Sequence, residues 1–290
     1  MVSSKPDRAA QRTAELDGVV ALALEEDLGE RGADVTTEAV VDRELMGEAV
    51  VIARKPGVLS GTDAAARVFE LVRPPCEYHA LIADGTRLKA EDPVARVRGP
   101  LASILTAERT ALNFLQRLSG IATMTRRYAD ALGDYPDVRL LDTRKTTPGL
   151  RFLERAAVRA GGGHNHRDGL WDAILIKDNH VAAAGGVTEA ISRARRARMP
   201  IEVEVDTLEQ LREALDSGAE MVLLDNMSPE LMRRAVEMTA GRARLEASGG
   251  MTLEGAVAAA KAGVDRISVG ALTHSAPALD LSLEVTKTWR

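Results

Sequence analysis

Beyond residue 138, short apolar runs alternate with amphipathic segments, and this rhythm constrains the fold more than any other feature of the chain. The strand candidates are RLLDT at 139–143, AILIKDN at 173–179, IEVEVDT at 201–207, AEMVLLDN at 219–226, ARLEASGG at 243–250 and DRISVGA at 265–271. Helical stretches fall near 150–160, 186–198, 207–217, 228–240 and 252–262. Strands separated by helices imply a parallel sheet, because parallel neighbours need a long crossover. A complete eight-stranded barrel of this kind occupies ~250 residues, whereas this region has about 150 and six strands. The count favours a small or incomplete α/β barrel, with an open sheet as the alternative.

Upstream the rhythm differs. A helical pattern over 14–28 ends at Gly29 and Gly32. Strand-like pieces follow at GEAVVIAR, EYHALIA and PVARVRG, separated by PG, DG and DP turns, with a helical TDAAARVFELV between the first two. These read as a small α+β sandwich domain. The segment 103–132 places Ile104, Leu105, Leu112, Leu115, Leu118, Ile121 and Met124 mostly on one stripe, the pattern of a long buried-faced helix. Gly120 marks a bend or a close crossing, and Glu108 beside Arg109 on the polar side suits a subunit contact.

Lys plus Arg number 38 against 43 for Asp plus Glu, so the summed charge offers no general attraction to nucleic acid or anionic membrane. Cys76 is the only cysteine, which excludes an intrachain disulfide and a multi-cysteine metal site. The opening MVSSKPDRAAQR has no signal-like apolar core, and no run reaches the roughly 18 apolar residues of a membrane span. A soluble cytoplasmic protein is expected.

The strand ends carry the chemistry. Asp142, Arg144 and Lys145; Lys177 to His180; Glu204 and Asp206; Asp225 and Asn226; Ser248, Gly249 and Gly250; and Gly270 all follow apolar runs. In parallel α/β folds those ends share one binding face. Arg144 and Lys145 offer a donor fork and a compact charge for carboxylate or phosphate. In RAGGGHNHRDGL the glycines permit close approach, and His166 with Arg167 reads better as an anion receptor than as zinc ligands, since no second ligand cluster has metal spacing. Glu202 and Glu204 should share one face of their strand. Glu204 and Asp225 form the favoured acidic pair, balanced by lysines or by a hydrated divalent cation. Ser248, Gly249, Gly250 and Gly270 bring backbone N–H groups together as a cradle for one terminal phosphate, and neither segment is a dinucleotide or P-loop motif. Cationic donors, carboxylates and a phosphate cradle in one pocket suit group transfer from a phosphorylated sugar with a pyrophosphate leaving group.

With these motifs in order, the chain closely resembles the quinolinate phosphoribosyltransferases. The likeness rests on LTAERTALNFLQRLSGIAT at 105–123, LDTRKTTPGLR at 141–151, GGGHNHRDGL at 161–170, LIKDNH at 175–180, EVEVD at 202–206, LLDN at 223–226, EASGG at 246–250 and SVGALTHS at 268–275. It implies Mg2+-dependent phosphoribosyl transfer from phosphoribosyl pyrophosphate to quinolinate with decarboxylation. It also implies a homodimer with shared active sites, within a hexamer in some members. By motif, Arg144, Lys145, His166 and Arg167 take quinolinate, with Arg109 supplied by the neighbouring subunit. Lys145 and Lys177 meet donor phosphates, Glu204 and Asp225 stand near ribose and Mg2+, and Ser248, Gly249, Gly250 and Gly270 hold the 5′-phosphate. The expected division is an N-terminal domain over 1–115 with a dimer-contact role, a catalytic barrel over 116–275, and a tail over 276–290 packing on the first domain. Two competing readings are a related phosphoribosyltransferase-like protein of molybdenum-uptake operons and a non-catalytic binder of phosphorylated metabolites.

Overall fold

Helix α1 (Arg8–Leu28) stops where Gly29, at φ 62°, donates its N–H to Glu25 O at 2.9 Å. The computed structural model describes residues 8–290, with side chains from residue 12, so part of the opening segment read above for a signal lies outside the described residues. Among the described residues no helix is long and apolar enough to cross a membrane.

The chain continues through α2 (Val35–Val40), β1 (Met46–Ala53), β2 (Gly57–Val58), α3 (Thr62–Leu71), β3 (Glu77–Ala80), β4 (Arg87–Leu88), β5 (Pro93–Pro100) and the long α4 (Leu101–Ala131). Then come β6 (Arg139–Leu141), α5 (Arg151–Ala160), β7 (Ile174–Ile176), α6 (Asp178–Ala184), α7 (Val187–Ala194) and β8 (Ile201–Val205). The last third holds α8 (Leu208–Asp216), β9 (Met221–Asp225), α9 (Pro229–Thr239), β10 (Arg244–Ser248), α10 (Leu253–Ala262), β11 (Arg266–Ser268), α11 (Ala271–His274) and β12 (Leu281–Trp289). All six expected strands beyond residue 138 form. The second is shorter than expected, because Lys177 caps a helix that starts at Asp178.

Two compact units emerge, and they are not contiguous in sequence. The first comprises Met1–Thr123, Pro148–Gly161 and Ala276–Arg290, and the second Met124–Thr147 and Gly162–Ser275. These units do not follow the contiguous division at 115 and 275, since helix α5 falls in the first unit. Its Glu154 is completely buried and paired at 2.8 Å with Arg117 of α4, whose guanidinium also donates to Ala276 O at 3.3 Å. A buried carboxylate is tolerable only with such a partner, so this pair fixes α5 where Arg117 is.

The first unit is built on an antiparallel sheet ordered β12-β1-β5-β3. Strand β1 alternates buried and half-buried side chains along its whole length. The tail reaches it by crossing α4 at Gly120, where a Cβ would lie 2.1 Å from Pro277 O, too close for any other residue. Leu279 N–H then donates to Gln116 O at 2.9 Å, and Gln116 returns a side-chain N–H to Leu281 O at 2.8 Å, which sets the register of β12 on β1.

The second unit is a parallel sheet ordered β6-β11-β10-β9-β8-β7. The segment that bridges β6 at His164 runs on into β7 at the opposite edge of the sheet, so one stretch of chain touches both edges. The six parallel strands and their intervening helices match the α/β class and the strand count expected from sequence. Register places Ser248 abreast of Asp225, and both Glu246 and Glu204 abreast of Leu223. The acidic and cradle residues thus reach the C-terminal edge together.

Candidate active site

A cavity of about 560 Å3 opens at the C-terminal ends of the second unit's strands. It is lined by residues on or just beyond each of this unit's strands, which is the binding face of a parallel α/β sheet. Arg144, Lys145, His166, Arg167, Lys177, Glu204, Asp225, Ser248, Gly249 and Gly250 all line it. Gly270 adjoins it: a Cβ there would lie 3.1 Å from Lys145 Cδ. Arg109 is on the exposed side of α4 in the first unit and is not among the lining residues. Asn226, noted from sequence only as a strand-end residue, also lines the cavity, as do Thr143, Glu246 and Ser268, which were not singled out as site residues from sequence.

At one end sit two guanidinium groups. Arg144 Nε is buried with no protein acceptor, a donor left for something else to satisfy. Arg167 donates from Nη1 to Ala173 O at 3.2 Å. Burial and the neighbouring Arg144 both lower its pKa, yet a guanidinium stays charged across the physiological range. Two like charges held together in a partly dry site form a receptor for an anion. Their loop is rigid: Asp142 accepts the His166 N–H at 2.7 Å and the Asn165 side-chain N–H at 2.6 Å, while Asp172 accepts two further loop N–H groups.

His166 itself is arranged otherwise than its sequence context led us to expect. Its ring faces the cavity, but Nδ1 accepts the Arg167 N–H at 2.7 Å, and Nε2 lies 2.9 Å from Glu202 and 3.3 Å from Glu246. Burial opposes a second ring proton, while the hydrogen bonds to Glu202 and Glu246 outweigh it and push the imidazole pKa up to about 9. That proton would have to sit on Nδ1, facing another N–H at 2.7 Å. A ring that accepts at Nδ1 carries its proton on Nε2, toward the two carboxylates. Burial raises the Glu202 pKa, the hydrogen bond with His166 lowers it and the neighbouring Glu246 raises it again. Both ring nitrogens are therefore committed inside the protein rather than to a ligand.

Among the described residues, His166, Glu202 and Glu246 are also the three metal-type donors that lie within 4.8 Å of one another. Arg266 Nε stands 3.4 Å from Glu246 and already supplies a cation there, and the Nε2–H tautomer offers no lone pair. This cluster does not fit a metal ion. Glu204 and Asp225 do: both present carboxylates to the cavity, Asp225 has Oδ1 outside its 2.7 Å bond from the Asn226 side chain, and hard oxygens suit a hydrated divalent cation. Lys177 ion-pairs with Glu204 at the same place, so the acidic end is already partly balanced.

The remaining wall is the glycine cradle. Gly249, at φ 95°, passes so close to Asn226 that a Cβ would lie 2.2 Å from its Oδ1. Asn226 is itself left-handed at φ 53° and donates its N–H to Ser248 O at 3.0 Å. The turn after β9 and the turn after β10 thus brace one another, aiming the Gly249 and Gly250 segment at the cavity. On the other side, Thr273 Oγ1 donates to Lys145 O at 2.8 Å and holds that backbone beside Gly270.

The chain is similar to known proteins over most of its length. The family model for the C-terminal domain of quinolinate phosphoribosyl transferase matches residues 121–284, and the model for its N-terminal domain matches 34–119. A Bacillus subtilis protein named as a probable carboxylating nicotinate-nucleotide pyrophosphorylase is 44% identical over 264 residues, 90% of each chain. A Mycobacterium leprae carboxylating nicotinate-nucleotide pyrophosphorylase is 45% identical over 270 residues, covering 91% of this chain and 94% of the relative. The solved structure of the Francisella tularensis nicotinate-nucleotide pyrophosphorylase superposes with a TM-score of 0.89 at 40% identity, covering 94% and 96% of the two chains.

Proposed function

The chain belongs to the quinolinate phosphoribosyl transferase family, and from that premise we propose how its cavity performs the decarboxylating transfer that makes nicotinate mononucleotide. The observation that supports the reading best is the meeting, in one cavity, of a guanidinium pair, a carboxylate pair and a glycine cradle. Arg144 and Arg167 hold the two carboxylates of quinolinate, and His166 serves that end through the Arg167 backbone. Lys145 and Lys177 meet the pyrophosphate of the donor. Ser248, Gly249, Gly250 and Gly270 hold its 5′-phosphate through backbone N–H groups.

Glu204 and Asp225 face ribose C1. As the bond from C1 to the pyrophosphate oxygen breaks, their negative charge stabilises the oxocarbenium-like carbon. The acceptor's ring nitrogen attacks C1 with its own lone pair, so no protein nucleophile is needed and positioning carries the step. The ribosylated nitrogen is cationic, stabilising the carbanion left when the adjacent carboxylate departs as CO2; a proton then replaces it. Glu204 and Asp225 would hold Mg2+, which supplies charge screening for the leaving pyrophosphate.

Arg109 acts from a second copy of the chain, giving a homodimer with shared active sites. Its exposure on α4, and the exposure of Leu170 and Trp171 directly after the anion-binding loop, support a partner surface at both places. The protein works on these small molecules in the cytoplasm, with no role for nucleic acid.

Purified protein given quinolinate, phosphoribosyl pyrophosphate and Mg2+ is expected to release nicotinate mononucleotide and CO2 in equal amounts. Absence of product above a metal-free control would overturn the function. Glu204→Gln is expected to lose turnover while keeping its fold, and near-parental kinetics for both substrates would remove Glu204 from the reacting centre.

A further inference from the structure

Two carboxylates lie under the guanidinium pair where the sheet could have carried apolar side chains. Glu202 on β8 and Glu246 on β10 are 4% and 1% exposed, among neighbours such as Val203, Leu245 and Ala247 that are fully or almost fully buried. Burying one such group without compensation costs several kcal/mol, and replacing a buried ionic set by apolar residues is often neutral or stabilising. Folding alone gives no reason for the pair. What the pair does in the structure is hold one ring: both carboxylates converge on His166 Nε2, at 2.9 and 3.3 Å. Arg266, paired in register with Glu246 on the neighbouring strand, steadies the second carboxylate at 3.4 Å.

The other side of that ring accepts the Arg167 N–H at 2.7 Å. A chain of contacts therefore runs from the buried acids through the imidazole to the backbone of a cavity-lining arginine. We infer that Glu202 and Glu246 are positioning residues for the acceptor end of the reaction, fixing the His166 ring and through it the Arg167 backbone, so that Arg167 stays aimed into the cavity. The inference rests on the proposal that Arg167 binds the acceptor's carboxylates.

The imidazole also keeps opposite charges apart. Glu202 is near enough to Arg167 to act on its charge. The ring stands between that carboxylate, 2.9 Å from Nε2, and the Arg167 N–H at Nδ1.

The test is steady-state kinetics with both substrates varied. Glu202→Leu removes the acceptor for Nε2–H and is expected to raise the quinolinate KM about tenfold, the scale of one lost buried hydrogen bond. The phosphoribosyl pyrophosphate KM should stay within about twofold, since the cradle lies on other strands. Glu202→Gln keeps an acceptor oxygen and should recover most of the loss. Because the acids act through Arg167, Glu202→Leu placed on Arg167→Ala should add little to the quinolinate KM, a non-additivity expected of coupled residues. Should Glu202→Leu not fold, Glu202→Met is put through the same comparison.

An unchanged quinolinate KM in Glu202→Leu, alongside an impaired Arg167→Ala, would overturn the inference and leave the site assignment standing. Equal rises in both KM values, or full additivity with Arg167→Ala, would also overturn it, since a general structural role gives that result. An unchanged quinolinate KM in Arg167→Ala would instead refute the site assignment itself.

Discussion

Two adjacent glycines in the cradle should respond very differently to one methyl group. At Gly250 the backbone is left-handed at φ 51°, and a Cβ would meet nothing within 4 Å. Gly250→Ala should therefore cost only the left-handed penalty, ~1 kcal/mol. At Gly249 the φ of 95° is strained for any L-residue, and the Cβ would lie 2.2 Å from Asn226 Oδ1 and 2.8 Å from Asn226 N. The backbone contact cannot be relieved by a side-chain rotation, because Asn226 N–H is bonded to Ser248 O at 3.0 Å. Strain of ~1–3 kcal/mol plus about one lost hydrogen bond gives roughly 2–4 kcal/mol. Melting temperature falls by about 2–4 °C per kcal/mol in domains of this size, so Gly249→Ala should melt about 4–16 °C below the parent and Gly250→Ala about 2–4 °C below. Function should separate them further. Displacing Asn226 breaks its 2.7 Å bond to Asp225 and moves the cradle amides, so Gly249→Ala should lose roughly 100-fold in kcat/KM for phosphoribosyl pyrophosphate, the scale of a misplaced oxyanion donor. Gly250→Ala should lose less than about tenfold on the same reasoning. Calorimetry and initial rates decide it: equal losses in the two variants, or a larger loss for Gly250→Ala, would refute the bracing of the two turns.

Two further outcomes follow from local chemistry. Asp34 caps α2, accepting from Thr36 N–H at 3.1 Å and Thr37 N–H at 3.0 Å; hydrogen bonds from the Thr37 hydroxyl and N–H hold its pKa below the usual 3.8. A carboxyl with a depressed folded pKa stabilises above its unfolded pKa and loses that contribution as pH falls through the folded one. Asp34→Ala should therefore cost about 1 kcal/mol in urea melts at neutral pH, with a gap that narrows steadily below pH ~4; a gap that holds constant into acid would show that the charge is not what caps the helix. Cys76 is buried, and burial pushes its thiol up to about 11. The thiol should resist a disulfide reagent at pH ~8 in the native protein and react at once in denaturant; rapid native labelling would place it outside the core.

How much of this could be read from the sequence depends on the distance over which each feature is determined. The strands β6 to β11 were visible because each pairs a short apolar run with a polar end, a pattern local to five or so residues. The cavity was visible for the same reason, since strand ends in a parallel sheet converge by topology alone. Helix α5 looked like one more crossover of the repeat, and it falls in the first unit, where its buried Glu154 meets the distant Arg117. Helix α6 was hidden inside KDNH, because the cap made by Lys177 and His180 resembles the end of a strand. Strand β12 has a clear alternation in LSLEVTKTW, yet its partner, β1, lies more than two hundred residues away. Glu202 was placed correctly on the face it shares with Glu204. Glu246 could have been flagged as a lone carboxylate inside an apolar strand; its convergence with Glu202 on one imidazole could not.

The corrected role of His166 changes the electrostatic logic of the pocket. From sequence it counted as one more positive group beside Arg144 and Arg167. In the structure its Nδ1 takes the Arg167 N–H while its Nε2 faces Glu202 and Glu246, and its value lies in what it occupies. An anion receptor fails if the acids that fold around it satisfy its cations first. Here Glu202 and Glu246 are answered by His166 and Arg266, Glu204 by Lys177, and Asp142 by the N–H groups of the loop. Arg144 Nε remains buried without a protein acceptor. This is the donor that the proposed binding of the acceptor's carboxylates would satisfy, since their charge and shape match it.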